Sequence, residues 1–408
     1  MFKLLLFDLD NTLVRTDDLK EVREFGKNVD TEEYRGRVST TYSAKKNREI
    51  YNVDLLNAIR KDFVDIKIGV FTRSPRAYAE TVLGCAYPKF DWDVLVAYED
   101  VKKTKPHGMG IHQAMDAFGL KRLDHVLMVG DQDIDIRAAY NAGVAVVLDT
   151  STWASDRSFD NWNSLARIPD AIIDEPEDLQ SVLKSLSKYQ PDLERLLAGA
   201  EEFIKPRRYD RVGKFIPKSV AQDKTSYPVF VCGRSFAGYD SISEREKWHK
   251  LSKSIHENKE SNEFPEEWIK SIYGFIRKKY PELAFSGSLV VSVIPHRPRR
   301  IPRLENLLVQ VKAYVASHPF LGSERVTFEP ELLAYHDGVL SNHKLHLTAH
   351  ERFENVRSHL HVNKPGAVAP KKQVLIIDDV CTTGASLIYA GKFLQEAGSG
   401  EVTRLAIS

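Results

Sequence analysis

The chain has 408 residues, 42% of them hydrophobic and 28% charged, with a formal net charge of +1. That length predicts two or three domains, each able to bury its own core, and the near-neutral balance excludes a basic surface spread over the whole molecule, leaving only a local patch for nucleic acid or membrane. Cys85, Cys232 and Cys381 are too widely separated for a disulfide framework or a zinc pair. A reducing, cytoplasmic setting is expected; no signal-peptide pattern opens the sequence, and no apolar run approaches the roughly 18 residues of a membrane span.

From residue 1 to about 188, short apolar runs alternate with helical patterns. The runs are KLLLFDLD, IKIGVFTR, VLVAYED, HVLMVGDQ, VAVVLDT and AIIDEP, and PEDLQSVLKSLSKY closes the segment as a helix. Continuous apolar runs mark strands buried on both faces, so a parallel α/β sheet is expected. The first strand delivers Asp8 and, two residues on, Asp10. The second ends at Thr72, TKPHG supplies Lys105 ahead of a helix, and VLMVG delivers Asp131, with Asp135 four residues later. A lone pair of acids reads equally well as a turn. Their recurrence at strand ends points instead to a site, because ligands of open α/β sheets bind beyond the carboxyl ends of the strands.

As chemistry, the set reads as magnesium-assisted phosphoryl transfer. Asp8 and Asp131 offer hard oxygen ligands, and Asp8 can attack phosphorus to give an aspartyl phosphate. Asp10 is placed to protonate the leaving alcohol and later to deprotonate water, work worth roughly 10²- to 10⁴-fold. Thr72 and Lys105 would neutralise phosphoryl oxygens, while Asp135 would hold metal-bound water or orient Lys105.

This order of motifs, with Asp8, Asp10 and Thr12 as a DxDxT, resembles the haloacid dehalogenase superfamily of phosphohydrolases over roughly residues 1–188. The resemblance implies a Rossmann-like domain with Asp8, Asp10, Thr72 and Lys105 as catalytic groups. It also implies Mg2+ held by Asp8, the Asp10 backbone carbonyl, Asp131 and Asp135. An acid two residues after the nucleophile is what family phosphatases carry, so hydrolysis is favoured over mutase or dehalogenase chemistry. Little chain separates Thr72 from Lys105, and residues 15–65 can form only a flap and a few helices, so a minimal cap and an open site are expected.

Residues 189–228 are rich in charge and proline and read as a linker or domain edge. A second α/β pattern occupies 229–408, with helices near 243–258 and 265–280, the strand SLVVSVIP, a helix through LENLLVQVKAYVASH, and a closing strand, turn and helix in QVLIIDDVCTTGASL. There Asp378 and Asp379 follow buried apolar positions, and Thr382, Thr383, Gly384, Ala385 and Ser386 open a helix. One reading is a plain helix cap. The other is a ribose 5-phosphate site: the carboxylates accept from sugar hydroxyls and the small-residue turn wraps the phosphate at a helix N-terminus, where Gly384 permits close approach.

The stretch resembles the phosphoribosyl-pyrophosphate signature of type I phosphoribosyltransferases, whose parallel sheet flanked by helices is the implied fold. SLVVSVIPHRPRRIPRLENLL is similar to the strand and pyrophosphate loop of ComF-like members, which implies that role for Pro295, His296, Arg297, Arg299 and Arg300. LTAHERFENVRSHLHV is similar to a further ComF-like segment, implying a substrate loop with Arg352, Asn355 and Arg357. The cysteine-rich zinc module of those proteins is absent, and Thr382 stands where 6-oxopurine salvage enzymes carry a catalytic Asp.

Arg297, Arg299, Arg300 and Arg303 also suit a solvated face or a nucleic-acid backbone. His343, His346, His350, His359 and His361 lack a zinc-ligand set and are expected at the surface; Tyr227, Phe230, Phe236 and Tyr239 are expected in packing. Together the halves predict a bifunctional enzyme of nucleotide-like metabolism, a phosphatase using an aspartyl phosphate plus a phosphoribosyltransferase, with Mg2+ serving both. The expected partners are a phosphorylated, nucleotide-like small molecule and phosphoribosyl pyrophosphate, with nucleic acid less favoured, no membrane, and a homodimer left open. Two rivals stand beside this reading: a phosphatase regulated by a non-catalytic phosphoribosyl-pyrophosphate or nucleotide sensor, and a nucleic-acid end-processing phosphatase.

Overall fold

The structure is a computed structural model that describes every residue except 155–164, 200–206, 218–222, 341–346 and 370–371. His343 and His346 therefore lie outside the described residues. The chain divides into two compact units. The first comprises Met1–Trp162, Arg167–Gln190 and Phe236–His249; the second comprises Asn163–Ala166, Pro191–Ser235 and Lys250–Ser408.

Six strands form the sheet of the first unit: β1 (Leu4–Phe7), β2 (Lys67–Phe71), β3 (Val94–Val96), β4 (Val126–Gly130), β5 (Ala145–Asp149) and β6 (Ala171–Ile173). Their order is β3-β2-β1-β4-β5-β6, and every pairing is parallel. All four residues of β1 are fully buried, which contributes about 1.5–3 kcal/mol per side chain and requires helices on both faces of the sheet. Those helices are α1 (Glu32–Ser43), α2 (Val53–Asp62), α3 (Arg76–Ala86), α4 (Met109–Ala117), α5 (Asp133–Ala142) and α6 (Asp178–Lys184).

Local chemistry fixes their ends. Thr31 and Asn52 cap α1 and α2 by accepting from the amides of Tyr34 and Leu55. Gly143 closes α5 at φ +85°, where an L side chain would be strained. Only short helical elements lie between β1 and β2, the longest being the 12 residues of α1. The chain leaves β1 toward β2 and β3, then returns to β4 on the opposite side of β1. Its topological switch point is the crevice beyond β1 and β4.

The segment Phe236–His249, placed by its chain position in the C-terminal half, belongs to the first unit. Arg245 explains this: its fully buried guanidinium donates to the carbonyls of Ala139 at 2.9 Å and Val144 at 3.2 Å and lies 3.9 Å from the centre of the Phe236 ring. A cation there is favoured by the negative end of the α5 dipole.

The second unit contains β7 (Asp210–Val212), β8 (Val229–Val231), β9 (Leu289–Val293), β10 (Val326–Phe328), β11 (Leu333–Tyr335), β12 (Leu360–Val362), β13 (Gln373–Asp378) and β14 (Val402–Ala406). The order β10-β9-β13-β14-β8-β7 is parallel except at β7, so the sheet is mixed, and β11 pairs with β12 as a separate antiparallel ribbon. Its main helices are α7 (Lys250–Glu257), α8 (Glu266–Lys279), α9 (Arg303–Ser317), α10 (Ala349–His359) and α11 (Ala385–Glu396). The stretch expected as a linker supplies β7 and a helix at Asp192–Leu197. The Asp192 carboxylate there, fully buried, accepts from Ser271 Oγ at 2.8 Å and Tyr209 OH at 2.9 Å, a cost of burial that only a packed fold offsets. Among the described residues, no helix is long and apolar enough to cross a membrane.

Candidate active site

At the switch point of the first sheet, the end of β1 presents Asp8, whose amide donates to Val129 O of β4 at 2.8 Å. Lys105 Nζ lies 2.6 Å from Asp8 Oδ1 and 2.7 Å from Asp135 Oδ1, with a side chain only 1% exposed. Asp135 is also tied back to the start of α5, where its other oxygen accepts from the Gln132 amide at 3.2 Å. It thereby orients Lys105. Beyond β4, Asp131 Oδ1 accepts from Thr12 Oγ1 at 3.2 Å. Gly130 is required between these acids, because a Cβ there would fall 2.3 Å from Asp135 Cγ.

One carboxylate oxygen from each of Asp8, Asp131 and Asp135 lies within 4.8 Å of the others. A set of hard oxygen donors with few carboxylates fits magnesium, which keeps several waters. Burial pushes the Asp8 carboxyl well above the usual carboxylate range against the pull of Lys105. Burial and the adjacent Asp135 push Asp131 up to about 7. For Lys105, burial works downward but is outweighed by Asp135 and Asp8, which hold it above its ordinary value.

A consequence for stability follows. A carboxyl raised in the folded state favours folding while protonated, and that contribution is lost as pH rises through the folded value, about 7 for Asp131. Magnesium must displace the same proton. It is therefore expected to raise the melting temperature more at about pH 8 than at about pH 5.5. Thermal melts with and without magnesium check this, and equal increments at both pH values would count against a metal at these acids.

Asp10 stands apart from that group. Its Oδ1 accepts from Thr16 Oγ1 at 2.7 Å and Tyr78 OH at 2.9 Å and pairs with Arg23 Nη1 at 3.0 Å, while Oδ2 accepts from Ser74 Oγ. Thr72 Oγ1 accepts the Ser74 amide at 3.0 Å, which leaves its own O–H able to donate. Reading the sequence missed Thr16, Arg23, Ser74 and Tyr78. Ser74, two residues beyond Thr72, carried a proximity signal; Arg23 carried none, being one of 58 basic residues singled out only by where the helix Lys20–Glu24 lies.

In the second unit the sheet order reverses between β9 and β13, and Asp378 and Asp379 stand at the end of β13. Asp378 Oδ1 accepts from the Asp379 amide at 2.9 Å, and Asp379 Oδ2 pairs with Arg303 Nη1 at 3.1 Å. Burial and the Asp379 charge push Asp378 well above the usual range. Arg297 is half-buried in the loop after β9, where burial lowers its basicity while the Tyr335 and Asp378 charges act in the opposite sense. Pro295 is buried, whereas His296, Arg299 and Arg300 are exposed, with Arg299 at φ +64°. His296 Nδ1 sits 2.8 Å from Glu305 Oε1.

Gly384 starts α11 at φ +76°, and a Cβ there would press within 3.0 Å of the Phe215 ring. Thr383 Oγ1 accepts from the Ala385 amide at 3.5 Å, Ser386 faces the Tyr335 hydroxyl, and Arg352 Nη1 donates to Thr382 Oγ1 at 3.3 Å. Asn355 is engaged elsewhere: its amide both donates to Leu340 O and accepts from Leu340 N. Arg357 pairs with Glu354 along α10 at 2.9 Å.

Residues 20–148 match the family model of haloacid dehalogenase-like hydrolases. Among curated proteins, the chain is 29% identical over 124 residues to pyrophosphatase PpaX of Bacillus cereus (strain AH820) and 30% identical over 123 residues to PpaX of Bacillus mycoides. Each alignment covers 30% of this chain and 54% of the relative, so the chain spans about half the length of the curated relatives it matches. Similar solved structures include a predicted phosphoglycolate phosphatase from Haemophilus somnus, at 22% identity, 45% coverage of this chain, 98% of the other and a TM-score of 0.32. Another is CbbY from Rhodobacter sphaeroides in complex with phosphate, at 18% identity, 44% and 96% coverage and a TM-score of 0.34. The match to the family model runs through β2, β3 and β4, the segment in which Thr72 follows β2 and Asp131 follows β4, so residues 20–148 of this chain are similar to haloacid dehalogenase-like hydrolases.

Proposed function

We propose that the first unit is a magnesium-dependent phosphatase working through an aspartyl phosphate on Asp8. The observation that carries this is the Lys105 ammonium bridging Asp8 and Asp135 next to Asp131. An Asp8 oxygen attacks phosphorus as the bond to the leaving oxygen breaks, and Asp10 donates the proton that oxygen takes up. Water then attacks the phosphoryl group, Asp10 accepts its proton, and Asp8 is regenerated. Asp10 must first turn from the donors that hold it, Arg23 among them. Lys105 and Thr72 neutralise the phosphoryl oxygens. Magnesium, held by Asp8, Asp131 and the Asp10 carbonyl with Asp135 behind, supplies charge neutralisation when bound.

For the second unit the proposal is phosphoribosyl transfer from phosphoribosyl pyrophosphate, also with magnesium. Supporting it are the adjacent carboxylates Asp378 and Asp379 at the end of β13, the Gly384 turn opening α11, and the Arg303 guanidinium paired with Asp379. The first unit's substrate would then be a nucleotide-like phosphate ester. Similarity to proteins named pyrophosphatase favours a second substrate, inorganic pyrophosphate, which such a transferase would release.

A magnesium-containing panel of phosphate monoesters, nucleotides and pyrophosphate tests the first part, and the absence of phosphate release from every member would reject it. For the second, Asp379→Asn is expected to weaken phosphoribosyl-pyrophosphate binding at least about tenfold, as loss of a charged hydrogen bond does, with phosphate release unchanged. Unaltered binding would remove Asp379 from the site. Pyrophosphate release in the presence of a base would decide for a transferase over a sensor.

A further inference from the structure

We propose that Arg23 selects the substrate at the Asp8 site: its guanidinium takes a second anionic group, phosphate or carboxylate, carried close to the scissile bond, and in doing so releases Asp10. The inference rests on the phosphatase reading of that site and names its substrate class. Arg23 is in place before any substrate arrives. It lies in the short helix Lys20–Glu24, and its neighbour Val22 anchors that helix, with a buried side chain and a carbonyl that accepts from Tyr34 OH at 3.1 Å. The Arg23 side chain is 28% exposed, against 11% for Asp10, which it meets at 3.0 Å, so a ligand can reach it from solvent.

Among the described residues, Asp10 is the one acid that Arg23 pairs with. Asp10 does not depend on that pairing. Thr16 Oγ1 and Tyr78 OH donate to its Oδ1 and Ser74 Oγ donates to its Oδ2, so neither oxygen is left as an unpaired buried acceptor when the guanidinium leaves. What leaves is the charged donor, the strongest of the four, and Asp10 then turns more easily toward the leaving oxygen. Lys105 cannot take Arg23's part, being 1% exposed and held between Asp8 and Asp135. Distance sets the substrate class. Asp10 serves the leaving oxygen from hydrogen-bond range, and the guanidinium meets the same carboxylate at that range, so leaving oxygen and guanidinium lie within about 6 Å of each other. An anion spanning that gap is attached within about three bonds of the leaving oxygen. The distal phosphate of pyrophosphate and the carboxylate of a phosphorylated 2-hydroxy acid meet this condition, and both suit the planar fork of an arginine. A nucleoside 5′-monophosphate carries no second anion.

Binding is read by calorimetry on the full chain in excess magnesium, with phosphonates that resist hydrolysis. Methylphosphonate has no second anion; methylenediphosphonate and phosphonoacetate carry a second phosphoryl or a carboxylate group. At least one of these two is expected to bind about tenfold or more tighter than methylphosphonate, the effect of a charged hydrogen bond, and the tighter one names the anion recognised. Arg23→Gln is expected to remove that gain, and Arg23→Lys, which keeps the charge without the fork, to retain part of it. Turnover gives a second reading. The ratio of kcat/KM for the matching substrate, pyrophosphate or 2-phosphoglycolate, to that for methyl phosphate should fall about tenfold or more in Arg23→Gln. A role confined to holding Asp10 would change all substrates alike and leave the ratio where it was. The proposal is overturned if neither two-headed phosphonate gains over methylphosphonate, or if folded Arg23→Gln keeps the gain or the ratio. The first outcome is measured on the parent protein and decides even if Arg23→Gln does not fold. Absence of phosphate release from every substrate rejects the phosphatase reading instead, whereas the phosphonates report on Arg23 without turnover.

Discussion

Asp8→Asn is expected to abolish magnesium-dependent phosphate release, with a loss on the order of 10⁴-fold. The amide has nearly the volume of the carboxylate and can still accept from Lys105, yet it cannot form the phosphoryl bond. Stability separates this outcome from misfolding. Burial pushes the Asp8 carboxyl upward more than Lys105 pulls it down, and Lys105 keeps Asp135 as its partner when Asp8 is lost, so the metal-free variant sheds a costly buried charge and should melt no lower than the parent. Magnesium should raise its melting temperature less, because a ligand is gone. Phosphate release and thermal melts on one preparation check both points. Retention of more than about a tenth of the parent rate, against the loss expected for a nucleophile, would falsify the assignment of Asp8.

Lys105→Met carries the second large effect, with the opposite stability signature. The ammonium is 1% exposed and lies within 2.7 Å of two carboxylates. Methionine keeps much of the length and leaves Asp8 and Asp135 without their shared counter-charge. Breaking a buried pair from one side costs about 3–5 kcal/mol, which for a unit of this size lowers the melting temperature on the order of 10 °C. Activity should fall by about 10²- to 10³-fold, since a donor to the phosphoryl oxygens is lost. Added magnesium should recover part of the stability, because another cation returns to the carboxylates, without restoring the rate. A metal-free melt unchanged from the parent would mean that Lys105 is not the counter-charge the geometry makes it.

The sequence by itself determined the strands of the first sheet and the acids at their ends. β1, β2, β4 and β5 are runs of buried apolar residues, and a strand covered on both faces leaves that mark whatever its neighbours are. Asp8, Asp131, Asp378 and Asp379 were legible for the same reason, as charges directly following such runs. The tertiary structure alone decided which side chains meet those acids. Tyr78 reaches Asp10 across 68 positions of chain and Arg303 reaches Asp379 across 76. Arg303, not its more exposed neighbours Arg299 and Arg300, makes that pair because it opens α9. The same holds for Asn355, whose amide bonds the backbone of Leu340 across 15 positions. It holds also for Phe236–His249, drawn into the first unit by Arg245 at the end of α5. The physical reason is one of range. Burial and periodicity act on residues adjacent in the chain and leave a local pattern, whereas a hydrogen bond or ion pair between distant residues exists only once packing has brought the two groups within about 3 Å.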